Sequence, residues 1–289
     1  MACLFCDSQN IKDASYPRPT RFNNKIFYYK ECKDCELVYI DPLPSADDYD
    51  KMYEKSYHEK FYFSDVPPDF SMLYQILEKF VTNRYLMDYG CGDGSFVNYF
   101  TNKGYKCIGV EYDKDLVEIL KIKRPGIEFY TVEEFLILKP NVKFGVIYLG
   151  DVLEHLSDPK SFVQKLVDRL EVKGLLMGQG PLENNKNIAL TVRKSISKIL
   201  SINKVRTAIH HPYHITFSNT KNQLYFFEGL GLKTAYYKIS ETSWPFPEKF
   251  SFNPVRGLYY VVGKFSIFFS KLFSKRMGNR FIYIGQKIN

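Results

Sequence analysis

The chain has 289 residues, 45% of them hydrophobic and 25% charged, which excludes an extended disordered polymer and leaves room for one full α/β domain plus an appendage. A formal net charge of +8 favours anionic partners (nucleotides, phosphorylated sugars, RNA or a membrane surface) without choosing among them. The opening Met1-Ala2-Cys3-Leu4-Phe5-Cys6 has no basic leader, and no uncharged apolar run of about 18 residues occurs, so neither a signal peptide nor a spanning helix is expected.

Residues 1–44 carry two matched pairs, Cys3-x-x-Cys6 and Cys32-x-x-Cys35, separated by 25 residues. Six cysteines without a secretory signal point to a reducing cytoplasm, where paired CxxC units bind metal rather than form disulfides. Two residues between cysteines let both sulfurs meet one ion, and two such turns complete a closed tetrahedral thiolate shell suited to structural zinc. Ile26–Tyr29 and Leu37–Ile40 read as hairpin strands joining the pairs. A segment with so little core would draw its folding energy from the metal.

Residues 45–80 read as a helical lead-in, with Asp47, Asp48 and Asp50 near a helix start and an interruption at Pro67-Pro68. Tyr49, Tyr53 and Tyr57 recur every four residues, on one helical face.

From residue 81 to about 240, strands alternate with helices. The strands expected are Tyr85–Tyr89, Lys106–Glu111, Ile127–Tyr130, Phe144–Leu149 and Gly174–Gln179, and the helices about 95–103, 114–123, 133–138 and 159–171. That order implies βαβ units and a parallel sheet. A basic excursion (about 182–210), a helix (about 219–230) and a strand (233–239) follow; residues 241–289 add an amphipathic helix (about 254–275) and a last strand, Phe281–Gly285.

The first strand runs into Asp88-Tyr89-Gly90-Cys91-Gly92-Asp93-Gly94-Ser95. Glycines at alternate positions make a tight turn whose backbone can touch a ligand. Twenty-one residues past Gly90, the second strand ends at Glu111, where a carboxylate can accept both hydroxyls of a ribose. The spacing is GxGxG rather than GxGxxG, with Ser95 where a third dinucleotide-type glycine would fall, and the loop has no Arg or Lys for a phosphate. A nucleoside without a pyrophosphate is the ligand these features favour.

After the fourth strand comes Leu149-Gly150-Asp151-Val152-Leu153-Glu154-His155-Leu156-Ser157-Asp158-Pro159. With the glycine loop and Glu111, this LEHLxDP element closely resembles the small-molecule branch of the class I S-adenosylmethionine-dependent methyltransferases. The resemblance covers about residues 80–240 and implies a Rossmann-like α/β core with a mostly parallel seven-stranded sheet and S-adenosylmethionine as cofactor. It further implies a cofactor-binding set of Asp88, Gly90, Cys91, Gly92, Gly94, Glu111, Tyr112, Val132, Glu133 and Asp151. Within that set the loop lies under methionine and ribose, Glu111 on the ribose hydroxyls, and Asp151 on the methionine side. Many relatives carry an aspartate near position 132 for the adenine amino group; here Val132 stands there, so Glu133 or backbone takes that contact. Relatives also place aromatic residues from the Tyr53–Tyr57 region over the cofactor. A similar zinc-binding front end occurs in sugar methyltransferases and bacterial surface-polysaccharide gene products, which implies an anionic or sugar-based small-molecule acceptor.

Of the five histidines, His155 is the first candidate base, sitting after the fourth strand at the carboxyl edge of the sheet. It could equally brace the loop. His210-His211-Pro212-Tyr213-His214 resembles a stretch near the active site of this branch, making His211 and His214 acceptor-site candidates. No cysteine or carboxylate neighbours them in sequence to complete a second metal site. Cys107 and Cys91 also read as inert packing. The basic amphipathic segments 186–206 and 254–276 fit an acceptor lid, a phosphate site, peripheral membrane contact, or a solvated face over core or a dimer contact. Two other functions compete. One is a zinc-containing RNA methyltransferase, weakened by Gly150-Asp151-Val152-Leu153 in place of an Asn/Asp-Pro-Pro-Tyr signature. The other is a non-catalytic zinc and nucleoside binding protein, disfavoured by the intact loop and Glu111.

Overall fold

The structure is a computed structural model, and it describes residues 1–53, 68–201, 208–209, 212–242, 247, 249–273 and 277–288. Tyr57, His58, His210 and His211 lie outside the described residues.

Two sheets organise the chain. The larger has seven strands: β5 (Tyr85–Tyr89), β6 (Lys106–Glu111), β7 (Glu128–Thr131), β8 (Phe144–Gly150), β9 (Leu170–Pro181), β12 (Leu232–Ser240) and β13 (Arg280–Lys287), in the spatial order β12-β13-β9-β8-β5-β6-β7. All run parallel except β13, which is antiparallel to both its neighbours. The chain order reverses beside β5, between β6 and β8, and ligands bind at such a switch point at the carboxyl ends of the strands.

Alternation along the central strands sorts side chains into two apolar layers. Leu86, Val146, Tyr148, Leu175 and Met177 face a layer completed by three helices, α2 (Ser71–Leu77), α3 (Ser95–Thr101) and α4 (Lys114–Lys123). Met87, Ile147, Leu149 and Leu176 face the other, completed by α5 (Val132–Leu138), α6 (Pro159–Asp168) and α8 (Thr220–Gly229). A sheet covered on both faces explains why these strands read as unbroken apolar runs. The expected mostly parallel seven-stranded α/β core is present.

The smaller sheet has six strands. β2 (Thr20–Phe22), β3 (Lys25–Cys32) and β4 (Val38–Asp41) form its centre, and β1 (Ile11–Asp13) pairs with β3. Its two edges come from far along the chain: β10 (Ala208–Ile209) pairs with β2 and β11 (Thr216–Phe217) with β4. The front module therefore does not end at residue 44, because the excursion after β9 returns to complete its sheet. Nor does it stand apart from the core. Cys3, Phe5, Cys32 and Cys35 belong to the same buried cluster as Leu149 and Phe227. Phe5 stacks on Phe226 of α8 at 4.3 Å between ring centroids. Asn222 Nδ2, also on α8, donates to the Cys35 carbonyl at 3.2 Å.

Three further α-helices are α1 (Ala46–Met52) and the packed pair α7 (Ile188–Ser201) and α9 (Pro254–Leu272). α1 starts at a capping box in which Ser45 and Asp48 satisfy each other's backbone N–H. Asp48 is fully buried, yet Lys25 Nζ at 2.7 Å and Asn23 Nδ2 at 2.6 Å keep it ionised. Burial opposes that charge, but these donors outweigh it and hold the carboxyl well below its usual range.

Candidate active site

A cleft of about 550 Å³ opens where β5, β6 and β8 end, roofed by α1. Gly90, Glu111, Tyr112, Asp113, Val132, Asp151, Val152 and His155 line it, together with Tyr49 and Tyr53.

The glycine loop is built as its sequence requires. Gly90, Gly92 and Gly94 take φ of 77°, 51° and 68°, in the left-handed region that glycine occupies without penalty. At Gly90 space is limiting too, since an added Cβ would meet Val152 Cγ2 at 2.6 Å. Gly90→Ala should therefore cost about 2 kcal/mol or more and lower the melting temperature by roughly 5 °C, read by calorimetry. An unchanged melting temperature would remove the conformational argument. From the end of α4, Arg124 Nη2 and Nε donate to the Asp93 carbonyl at 2.9 and 3.1 Å and clamp the loop. Nothing near the loop in sequence signals that arginine.

Glu111 is buried, and its carboxylate is already aimed. Oε2 accepts from the Gly92 N–H at 2.9 Å and Oε1 from the Tyr112 N–H at 2.7 Å. A carboxylate oxygen accepts more than one donor, so ribose hydroxyls suit it chemically. Behind the loop, Asp88 is buried, and its Oδ1 is one of three buried side-chain polar atoms without a hydrogen-bond partner among the described residues. Burial, with the charges of Glu111 and Asp93 adding to it, pushes the Asp88 carboxyl well above its usual range. Asp88 is not among the residues that line the cleft, so it is the loop and the Glu111 carboxylate that fit a nucleoside cofactor.

The other expected cofactor residues divide. Tyr112, Val132 and Asp151 line the cleft, whereas Glu133 is exposed and outside its lining, so at position 132 an apolar side chain meets the ligand space. Cys91, Gly92 and Gly94 belong to the loop but are not among the residues that line the cleft, and Cys91 is buried. Asp151 sits at φ 54° and is held by Arg280 Nη2, which lies 2.7 and 2.8 Å from its two oxygens. Arg280 opens the last strand, 129 residues away, so the pair is invisible to local spacing.

His155 follows β8 and keeps 21% of its side chain exposed to the cleft. Its Nδ1 lies 2.8 Å from the Tyr213 carbonyl and 2.9 Å from the Tyr53 hydroxyl. A carbonyl only accepts, so Nδ1 carries the hydrogen and Nε2 is left with the lone pair. Tyr49 adds a bond from its hydroxyl to the His155 carbonyl at 3.0 Å. The tyrosine stripe of α1 thus packs on the histidine. Burial, reinforced by the positive His214, pushes the imidazole down to about 3, which keeps it neutral.

His214 packs edge-on against His155 at 4.9 Å between centroids, outside the cleft lining. Its Nδ1 lies 2.5 Å from Glu183 Oε2. Burial opposes its charge, but the Glu183 carboxylate outweighs that and holds it up at about 9. Glu154, whose Oε1 is 3.8 Å from His155 Nε2, is pushed up to about 8 by burial and then by Asp151. Carboxylates absent from the sequence neighbourhood of His214 do reach it in space, and polar atoms of Glu154, His155 and His214 lie within 4.8 Å of one another.

In the module, Cys3 Sγ is 3.5 Å from Cys35 Sγ and Cys6 Sγ is 3.7 Å from Cys32 Sγ, with all four within 4.8 Å of one another. A zinc ion bonded to four thiolates at about 2.3 Å sets its sulfurs about 3.8 Å apart, so these four sulfurs fit the ion. Cys107 and Cys91 are buried in the core, away from this cluster.

Residues 64–224 match the model of a family described as a methyltransferase domain. A probable S-adenosylmethionine-dependent methyltransferase of Mycobacterium tuberculosis is 28% identical over 110 residues, 38% of this chain and 40% of that protein. A trans-aconitate 2-methyltransferase of Agrobacterium fabrum is 29% identical over 45% of this chain and 52% of its own length. A ubiquinone biosynthesis O-methyltransferase of Histophilus somni is 30% identical over 33% and 44%. The chain thus spans about half, or less, of the length of these curated relatives. Among solved structures, an S-adenosylmethionine-dependent methyltransferase of Methanosarcina mazei is similar at 13% identity and a TM-score of 0.49, over 74% of this chain and 97% of that one. The family match takes in the glycine loop, Glu111 and LEHLxDP, and by it the chain belongs to the methyltransferase-domain family.

Proposed function

We propose that this chain transfers a methyl group from S-adenosylmethionine to a hydroxyl of a small-molecule acceptor: a sugar, nucleotide-sugar or surface-polysaccharide precursor. The observation that carries the reading is that Gly90, Glu111 and a neutral His155 line one cleft. Relatives whose names denote aconitate methylation and ubiquinone biosynthesis support a small-molecule acceptor. One structural zinc, held by Cys3, Cys6, Cys32 and Cys35, is part of the proposal.

Glu111 would hold the ribose of the cofactor, Val132 and Tyr112 its base, and Asp151, fixed by Arg280, its methionine part. The bound cofactor supplies an electrophilic methyl on a sulfonium, which leaves as a neutral thioether. The protein's part is to align acceptor and donor in line and to take one proton. As the acceptor oxygen bonds to carbon, its O–H becomes far more acidic than in the free alcohol, so even a weakly basic imidazole suffices. His155 Nε2 accepts that proton, while Nδ1–H on the Tyr213 carbonyl fixes the ring.

His155→Gln should lower kcat by about 10²- to 10⁴-fold with cofactor affinity little changed. If turnover survives, His155 is a brace. Between pH 5 and 7 none of the three neighbouring groups changes state, since His155 is held down at about 3, Glu154 up at about 8 and His214 up at about 9. Turnover should be flat over that range, and a fall centred near the ordinary imidazole value would contradict the assignment.

Labelled S-adenosylmethionine added with the protein to an extract of its source cells tests the function. Label in the small-molecule or glycan fraction is expected. Label lost on ribonuclease treatment would transfer the activity to RNA, and no label anywhere would leave a binding protein.

A further inference from the structure

Helix α9 is amphipathic in the wrong sense for a helix that faces water. The side it turns to the protein carries Gly263, Ser266 and Ser270, all buried. Ser266 Oγ donates to Glu241 at 2.7 Å and accepts from the Ala189 N–H of α7 at 3.3 Å. The side it turns outward carries Leu258, Val261, Phe265, Phe268 and Leu272, spaced for one stripe, and Leu258, Phe265, Phe268 and Leu272 are 60%, 55%, 58% and 62% exposed. The loop before the helix adds Phe250 and Phe252, the latter 97% exposed. Water-facing helices show the reverse distribution, and a contiguous apolar stripe of this size marks a contact.

The charge of the same segment says what the contact is. From Lys249 to Asn289 the sequence contains no Asp or Glu but eight Lys or Arg, and from Asn184 to Phe227, which includes the packed helix α7, it again contains no acidic residue. Lys264 and Lys271 are exposed and border the stripe on one side. A second copy of the chain laid on this face would bring two acid-free basic segments together, at a repulsive cost. Nucleic acid would use the lysines but leave Leu258, Val261 and Leu272 in water. An anionic lipid surface satisfies both features, taking the apolar stripe into the acyl boundary and the lysines against the headgroups. Among the described residues, no helix is long and apolar enough to cross a membrane, so the contact is superficial.

We propose that the outward face of α9 docks the protein on an anionic lipid bilayer. The helix is inserted between Ser240, the end of β12, and Arg280, the start of β13, and Arg280 bonds Asp151 in the cleft lining. Docking here sets the bilayer beside the edge of the sheet on which the cleft opens. The inference is independent of what is methylated.

Flotation of the full chain with vesicles tests it. At low salt the protein should float with vesicles of equal parts phosphatidylglycerol and phosphatidylcholine, and less with phosphatidylcholine alone. The double substitution Phe265→Ser with Phe268→Ser should lower partitioning by at least about tenfold. Lys264→Glu with Lys271→Glu should weaken it and flatten its salt dependence. Both variants alter exposed side chains only, so melting temperature and cofactor affinity serve as controls that should not move. Protein that stays at the bottom of the gradient at low salt overturns the proposal. So does sedimentation showing a dimer that the serine pair dissociates, since the stripe would then be a protein interface.

Discussion

Glu111→Ala should weaken S-adenosylmethionine binding by roughly 100-fold, or about 3 kcal/mol, measured by calorimetry on the purified chain. The size follows from the number of bonds one carboxylate serves. Two ribose hydroxyls would donate to an ionised acceptor, and such charge-assisted bonds are stronger than neutral ones. The protein has prearranged them, because the Gly92 and Tyr112 amides already fix both oxygens. Truncation loses the ligand's bonds and also leaves two backbone N–H groups in search of partners, one of them inside the glycine loop. Glu111→Gln separates these effects. It keeps one acceptor oxygen but sets an NH₂ against a backbone N–H, so it should bind nearly as weakly as alanine. An affinity unchanged in both variants would remove Glu111 from the cofactor site and, with it, the reading of the cleft as a nucleoside pocket.

What could be read from sequence, and what could not, divides by the range of the interactions involved. β5, β6 and α4 begin and end where the pattern places them, because each is set by its own apolar period and its own turn residues. β9 is longer than expected: Leu170–Lys173 precede the apolar run, with Lys173 at φ 64° breaking the alternation, and the register against β8 shifts there. β10 and β11 are two residues each and exist only because β2 and β4 offer edges, so no local signal announces them. The same holds at the site. Gly90, Glu111 and His155 are legible because motifs fix them relative to strand ends. Arg280 on Asp151, Glu183 on His214 and Tyr53 on His155 join residues 129, 31 and 102 apart, and only the folded chain brings them together. The adenine contact that the resemblance implies shows the limit of analogy: Glu133 offers a charge for it, but Glu133 is exposed and it is Val132 that lines the cleft.

Removing one cysteine of the four, Cys32→Ala, should abolish zinc retention and unfold more of the chain than the module itself. A tetrahedral thiolate site contributes folding energy on the order of 10 kcal/mol, against a total domain stability of about 5 to 15 kcal/mol. Were the module a separate bead, its loss would leave the methyltransferase core and its cofactor affinity intact. The contacts argue otherwise. Cys3, Cys32 and Cys35 lie in the core's own apolar cluster, Phe5 stacks on Phe226, and Asn222 spans from α8 to the Cys35 carbonyl. The module also reaches the turn that carries His155, since β11 pairs with β4 and the Ile215 N–H just before it donates to the Glu154 carbonyl at 2.7 Å. Metal loss should therefore propagate through β4 and β11 to His155 and His214. One zinc per wild-type chain by mass spectrometry of metals is expected, with none in Cys32→Ala. A strong chelator should lower the wild-type melting temperature and cofactor affinity together, and added zinc should restore both. Cys107→Ala, which removes a buried thiol outside the cluster, should keep its zinc. A Cys32→Ala protein with normal zinc would refute the metal assignment, and one without zinc but with normal cofactor affinity would show that the module folds apart from the core.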